Sequence, residues 1–579
     1  MNGATVVCDA FTKLGITHAF GIPGTQNLRL FDALRQSSIR TILTTDETAA
    51  SFAANGFYRA SGTPALLTTI PGPGLANAIS GITEAHHDSA AMIVLIEYDS
   101  EFSDRDFRLQ DFDIEALCRP VSKDFVRVRS AHNLSEAIYK SVICASAGEP
   151  GPVILCVDSV VLSRDAEAFT PGEPMPPATE PEKELVERIG NELLSSGKIS
   201  ILAGQGASVE PQGLLDLAKI LRAPVITTCS ARGAISEDHV PCIAADISLG
   251  TVGLVNELLS ECSRILVIGC KLGHNGSCGY ELKLDESRLI RVDASPGILT
   301  SKNYPAKITV QSDGGGFIRA LIDTIGSRHP ESDSFTDEEI GLWKNRIERA
   351  RKEVIKFEPS IDGTDGIGVS TIFRTLDEII GSESIVVTDA GQHQSLARAY
   401  LDIKSPRGLI VPSDFQSVGY GIPAAIGARL AEPGKKVFAV IGDGAMQASA
   451  MEIRTAVREG LDLGIILFND GALGSIQLQQ WCTFGDDYCV ALDNPDFALL
   501  AESMTAEYSL LNEKTDSALR AFAEGSGVRI IEVRLNHAPE AGKARRMARL
   551  RERAGRSAFV KPLKAIRDWI RGTDREFEK

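Results

Sequence analysis

Short apolar runs recur along the chain. Each is followed by a glycine-rich turn or by a longer stretch whose apolar positions fall at helical spacing. HAFGIPG reads as a strand closed by a turn, TILTT as a strand, and DETAASFAANGFYRASG as a helix ending at Gly62. PALLTTIPGPG and AAMIVLIE read as two further strands. This alternation predicts a parallel sheet covered by helices on both faces. TPGEPMPPATEPEKE (170–184) breaks the pattern and reads as a linker. The rhythm resumes with ISILAG, PVITT, RILVIG and LIRVDA. It pauses at the charged helical segment DEEIGLWKNRIERARKEVIKFE and returns with SIVVTD, GLIVP, VFAVIGD, LGIILFND and VRIIEV. The expected fold is α/β, with three doubly wound parallel-sheet domains in series over 1–168, 185–330 and 360–540. The first and third blocks share a rhythm, which suggests an old duplication. Residues 541–579 change character to a basic helical tail, read as a solvated helix packed along one face, with a partner-binding or site-covering role as the alternative.

Composition narrows the function classes. The chain has 579 residues, 43% hydrophobic and 24% charged, an ordinary globular balance. A net charge of −17 lacks the basic footprint of a nucleic-acid binder. None of the eleven cysteines forms a CxxC pair, so free thiols in a reducing compartment, the cytoplasm, are expected. The N-terminus shows no signal-peptide pattern, and no run of about 18 apolar residues suggests a membrane span.

The candidate chemistry starts at VFAVIGDGAMQ (437–447), where an apolar run ends in Asp443 between two glycines. Met446, Met451, Ile453, Ala456 and Val457 then fall at the spacing of a helix with a buried face, and LGIILFND ends in a second aspartate, Asp470. A strand–helix–strand unit of this length places both aspartates at the carboxyl ends of neighbouring strands about 4.8 Å apart, the edge where open α/β sheets bind ligands. Two carboxylates so close repel, and a hard divalent cation that shares oxygen ligands with a phosphate or diphosphate removes the conflict. Gly442 and Gly444 let the backbone approach closely, and a helix starting near Ala445 offers N–H groups to an anion. Helix N-caps or turn residues would account for the same aspartates. Glu47 has a similar double reading, because Thr44–Glu47 fit a capping box with Glu47 as the third helical residue.

GDGAMQASAMEIRTAVREGLDLGIILFND (442–470) resembles the thiamine diphosphate motif, and the chain resembles the acetolactate synthase-like family of thiamine diphosphate enzymes over nearly all of residues 1–540. FGIPG (20–24), DETAASFAANGFYRASG (46–62), PGPGLANAISG (71–81), DAGQHQ (389–394) and VGYGIPAAIGARLA (418–431) stand at matching places. The resemblance implies pyrimidine-binding, central and diphosphate-binding domains in that order. It implies a magnesium ion held by Asp443, Asp470 and the carbonyl of Ala472, with Gly442, Gly444, Ala445, Gln392 and His393 around the diphosphate. Glu47 matches the glutamate that acts on a pyrimidine nitrogen of the cofactor bound by another subunit, which implies a homodimer or a dimer of dimers. Relatives often carry His before this glutamate, where this chain has Asp46. Val418 takes the place of the larger residue that props the cofactor bent, and Gln416 offers a carbonyl to the aminopyrimidine where many relatives have Gly. Thr25 and Gln110 match substrate-facing positions, Gln110 within LQDFDIE. His86 and His87 do not match the paired histidines of pyruvate decarboxylases and suggest a structural or interface role.

Two departures bear on specificity. GSIQLQQ places Gln479 where biosynthetic acetolactate synthases carry an acceptor-selecting Trp, and Trp481 follows two residues later. VIGCKLGHNGSCGYE stands where flavin-holding relatives have an Arg-Phe-Asp-Asp-Arg-like run, so FAD is expected to be absent or not required. The implied activity is decarboxylation of a small 2-oxo acid, pyruvate-like, with transfer of the acyl carbanion to an acceptor carbonyl. The alternatives are simple decarboxylation to an aldehyde, or cofactor binding without turnover.

Overall fold

The computed structural model describes residues 1–98, 105–106, 108–170, 180–330, 333–353, 359–362, 364, 367–511, 515–537, 541–542, 544–545 and 548. Residues 171–179 of the linker and most of the basic tail lie outside the described residues, and the last two residues of the expected linker, Lys183 and Glu184, already open the Lys183–Leu194 helix. The first sheet comprises β1 (His18–Gly21), β2 (Arg40–Leu43), β3 (Ala65–Thr69), β4 (Met92–Tyr98), β5 (Asp124–Val128) and β6 (Pro152–Asp158), all parallel, in the order β2-β1-β3-β4-β6-β5. The second comprises β7 (Ile199–Ala203), β8 (Val225–Thr227), β9 (Cys242–Ile243), β10 (Arg264–Ile268), β11 (Leu289–Asp293) and β12 (Ile308–Gln311), in the order β12-β11-β10-β7-β8-β9.

The third sheet contains β13 (Ser360–Ile361), β14 (Ser384–Thr388), β15 (Leu409–Ile410), β16 (Lys436–Gly442), β17 (Leu463–Asn469), β18 (Glu507–Leu510) and β19 (Val528–Asn536). Its parallel strands run β15-β14-β16-β17-β19-β18, the same path as the first sheet. The shared rhythm of the two sequence blocks is therefore a shared topology. The third sheet is mixed, because β13 pairs antiparallel with the end of β19. That two-residue strand leaves no pattern long enough to read in the sequence.

The first and third domains share one apolar core. It runs through the crossing of the Glu47–Ser61 and Gly421–Ala431 helices, both rich in Ala and Gly. A Cβ added at Gly56 would lie 2.1 Å from the Ala424 carbonyl oxygen, and one at Gly427 would lie 1.9 Å from that of Ala53. Backbone meets backbone there, and only glycine fits. Tyr420 Oη donates to Asn55 Oδ1 at 3.0 Å across the same contact. The central domain is joined through buried charge. Arg232 pairs with Glu237 at 2.5 Å and donates to the Arg398 carbonyl at 2.7 Å, and Arg398 pairs with Asp246 at 2.7 Å. Among the described residues no helix is long and apolar enough to cross a membrane.

Candidate active site

β16 and β17 pair in parallel with Gly442 opposite Phe468, so both aspartates emerge from neighbouring strand ends as the spacing predicts. Asp443 opens a short helix, Asp443–Ser449, two residues earlier than expected. A second helix, Glu452–Arg458, follows. Met446, Ile453 and Ala456 are buried, but Met451 is 55% exposed because it falls at the break between the two helices.

Asp443 is buried and densely bonded. Its Oδ1 accepts from the Gly444 N–H at 3.0 Å, and its Oδ2 from the Gly471 N–H at 2.8 Å and Asn494 Nδ2 at 2.7 Å. Asn494 also donates to Asn469 Oδ1 at 2.9 Å and accepts from Gln447 Nε2 at 2.6 Å. Asp470 accepts from the Ala472 N–H at 3.2 Å and lies 3.0 Å from His537 Nε2. Burial first, and the neighbouring Asp470 second, push the Asp443 carboxyl up to about 6. A group in that position gains from a cation. Among the described residues no three His, Cys, Asp or Glu side chains form a metal cage. The two carboxylates at neighbouring strand ends offer oxygen donors, the type magnesium takes together with phosphate oxygens.

The surrounding backbone fits an anion. His393 is buried, its imidazole held down to about 4 by burial, and its Nε2 has no hydrogen-bond partner among the described residues. A Cβ at Gly442 would lie 3.1 Å from His393 Nδ1. One at Gly391 would lie 2.6 Å from His393 Cε1, at a φ of +149° that favours glycine in any case. The neutral imidazole packs into the room left by two glycines, and its buried, unpartnered Nε2 is a polar atom that a bound group could satisfy. Gln392 begins the Gln392–Tyr400 helix beside it, and Gly444 and Ala445 sit in the first turn of the Asp443–Ser449 helix.

The pyrimidine-domain residues gather around another turn, Gly72–Gly74. Glu47 is 9% exposed and accepts from Asn77 Nδ2 at 3.2 Å, and a Cβ at Gly74 would lie 2.9 Å from its Oε1. The capping-box reading is corrected: Asp46 is the N-cap, its Oδ1 accepting from the Ala49 N–H at 2.8 Å, and Glu47 is the first helical residue. Asp46 thus performs the capping, and the Glu47 carboxylate is left free for other work. Gln110 has φ +57° and packs on Gly72, and its Oε1 accepts from Gln26 Nε2 at 2.7 Å. Thr25 lies exposed in the Thr25–Asn27 turn next to Gln26. Among the described residues no hydrogen bond joins Glu47, Thr25 or Gln110 to the Asp443–Asp470 half within the chain.

Gln416 has φ +65°, and Val418 is 56% exposed, an apolar side chain left uncovered beside the site. His87 stacks on Phe415, ring centroids 5.5 Å apart, and Lys271 Nζ donates to the His87 carbonyl at 2.8 Å, in line with a structural role. Gln479 is exposed on the Gly474–Phe484 helix. Trp481 is turned inward: its indole N–H donates to Asp487 Oδ2 at 2.6 Å, and Arg545 at the start of the tail lies over its ring. A separate cavity of about 340 Å³ opens at the strand ends of the central sheet, walled by Gly204, Gly269, Lys271, Asp293 and Arg59. Asn494 and His537 escape sequence reasoning because each lies outside the quoted motifs, and Asn77, though inside PGPGLANAISG, is brought to a site carboxylate only by the fold.

These features define a thiamine diphosphate enzyme, and comparison with known proteins agrees. Residues 1–115 match the N-terminal TPP binding domain of thiamine pyrophosphate enzymes, 186–321 the central domain and 389–533 the C-terminal TPP binding domain. The chain belongs to this family. Within it the chain is similar to acetolactate synthases: it is 29% identical to a probable acetolactate synthase large subunit of Methanocaldococcus jannaschii, over 87% of this chain and 86% of that protein. It is 26% identical to the acetolactate synthase of Mycobacterium bovis (87% and 82% covered) and 27% identical to the acetolactate synthase large subunit of Buchnera aphidicola (91% and 93%).

Proposed function

We propose that the protein decarboxylates a pyruvate-like 2-oxo acid and transfers the acyl unit to an acceptor carbonyl, as an acetolactate synthase-like carboligase. The observation that carries this reading is the convergence of Asp443 and Asp470 at neighbouring strand ends, in a chain that aligns along most of its length with acetolactate synthases. Magnesium would be held by Asp443, Asp470 and the Ala472 carbonyl, and the diphosphate by Gln392, His393 and the N–H groups of Gly444 and Ala445, with Gly442 giving clearance. Thiamine diphosphate, when bound, supplies the electron sink for decarboxylation. Glu47 of one subunit holds a proton at a pyrimidine nitrogen in the site of the other, so the working unit is a homodimer or a dimer of dimers. The Gln416 carbonyl and the Val418 side chain fix the cofactor's pose. Gln110 donates a hydrogen bond to a substrate oxygen, its amide oriented by Gln26, and Thr25 lines the same wall. The reaction requires no flavin, and the other partners are small molecules.

Incubation with pyruvate, thiamine diphosphate and Mg²⁺ should release CO₂ and give a new C–C bonded product. No CO₂ from any of a panel of 2-oxo acids would refute the reading. One observation favours a second outcome, a decarboxylase that releases an aldehyde: Gln479 stands at the acceptor-selecting position, and Trp481, two residues later, is packed away under Arg545. Aldehyde without ligation product would select that outcome. Purified protein should lack the yellow absorption of bound flavin. Glu47→Gln should lose turnover by at least a hundredfold while magnesium-dependent cofactor binding persists.

A further inference from the structure

Three backbone N–H groups at alternate positions between Ser417 and Gly421 are taken by buried carboxyl groups. Ser417 N–H donates to Glu84 Oε2 at 2.9 Å, Gly419 N–H to Asp389 Oδ1 at 3.1 Å and Gly421 N–H to Asp389 Oδ2 at 2.6 Å. Just upstream, the Ser413 N–H donates to Asp88 Oδ1 at 3.3 Å, and Arg59 bridges Asp88, at 2.8 Å, to the Val411 carbonyl. Glu84 and Asp88 come from the last turns of the Pro73–His87 helix and its cap, so the pyrimidine-binding domain grips a loop of the diphosphate-binding domain.

The geometry of the Gln416–Ser417 peptide then follows. In a trans peptide the C=O and N–H point in opposite directions. With the Ser417 N–H held by Glu84, the Gln416 carbonyl faces away from the Pro73–His87 helix, and the φ of +65° at Gln416 sets the chain for that turn. Glu84 is fully buried, Arg59 is occupied by Asp88, and Glu84 Oε1 has no hydrogen-bond partner among the described residues. Burial and the nearby Asp88 push the carboxyl up to about 8. An acid here weakens the fold relative to an apolar side chain of the same size. Packing alone does not call for it, whereas a carboxyl is what can accept the Ser417 N–H.

We propose that Glu84 is a positioning residue for the cofactor: by holding the Ser417 N–H it aims the Gln416 carbonyl at the exocyclic amino group of the aminopyrimidine. The proposal rests on the thiamine diphosphate reading above. Its signature is a preference for the amino group rather than affinity as such. The full-length protein, with Mg²⁺, is titrated with thiamine diphosphate and with an analogue lacking the pyrimidine amino group, and the ratio of dissociation constants is read. Wild type should favour the aminated cofactor by about tenfold, the worth of one well-made hydrogen bond. Glu84→Met should reduce the ratio to within about twofold, and Glu84→Gln, whose amide oxygen can still accept, should keep it. A methionine variant that retains the full ratio overturns the proposal, as does a glutamine variant that loses it. Amide exchange on wild type is the independent check, and it decides should the methionine variant fail to fold. Protection of the Ser417 N–H supports the proposal, and exchange at the rate of an unstructured chain overturns it. If wild type binds neither compound, the thiamine diphosphate reading fails and takes the proposal with it. Binding without the ratio sinks the positioning role alone.

Discussion

Three carboxyl groups at the site are held in their acidic form well above the usual range: Asp443 at about 6, Asp389 at about 7 and Glu84 at about 8, each chiefly by burial. The sign of their effect on stability is set. A carboxyl whose pKa is raised by folding contributes stability that is complete below its unfolded pKa, near 4, and is lost as pH rises through the folded value. The cofactor-free protein should therefore melt at progressively lower temperature between pH 5 and 8, each group contributing up to about 1.4 kcal/mol per pH unit inside its window. Glu84→Gln should flatten the upper part of that curve in calorimetry, and an unchanged slope would contradict the assignment. Cofactor with Mg²⁺ acts oppositely at Asp443, because the ion needs the charged carboxylate. Asp443→Asn should abolish magnesium-dependent binding of thiamine diphosphate, read by titration of the cofactor with and without Mg²⁺. The motif residues Asp443, Asp470 and Glu47 are legible because their chemistry needs fixed spacing along one strand–helix–strand unit or one helix start. Asn494, Asn77, Glu84 and His537 are not, because hydrogen-bond partners far apart in sequence meet only through tertiary packing.

The element that joins the two thiamine-binding halves is the crossing of the Glu47–Ser61 and Gly421–Ala431 helices. Glycines at the contact bring the backbones close enough that a single methyl group has no room. Gly427→Ala and Gly56→Ala should each cost on the order of 3 kcal/mol or more, read as a lower urea midpoint, since the obstructing atoms are backbone and cannot swing aside. Gly341→Ala, where nothing lies within 4 Å of the added Cβ, is the control and should be neutral or slightly stabilising. The sequence shows the first helix and its Gly62 stop, and Gly62 does cap it in the left-handed conformation, φ +78°, whereas the second enters only as a matching motif, VGYGIPAAIGARLA. It does not show that they face one another, because Ala-rich helices suit many partners. Nor does it show that the segment after Asp443 is two short helices rather than one, a break that turns Met451 outward.

At the scale of the molecule, the first and third sheets follow the same strand path and share one core, and the central domain is fastened through Arg398, which pairs with Asp246 and whose carbonyl accepts from Arg232. Glu47 and Asp443 lie in separate halves of the chain, and among the described residues no hydrogen bond joins Glu47 to Asp443 or its partners, which suits a site completed across two subunits. Mixing Glu47→Gln and Asp443→Asn subunits after reversible dissociation should restore about a quarter of wild-type turnover, since half the dimers are mixed and each has one intact site. No recovery would place both residues in the same subunit's site. The alternation of apolar runs and helical stretches determined the α/β class, the three-block order and the strand-end placement of both aspartates, because these depend on periodicity and on short, right-handed connections. Only the tertiary structure decided which helices meet, which amides the buried carboxyls hold and how the Gln416 peptide is turned. Those depend on side chains hundreds of residues apart coming within hydrogen-bond reach, and no local pattern encodes that distance.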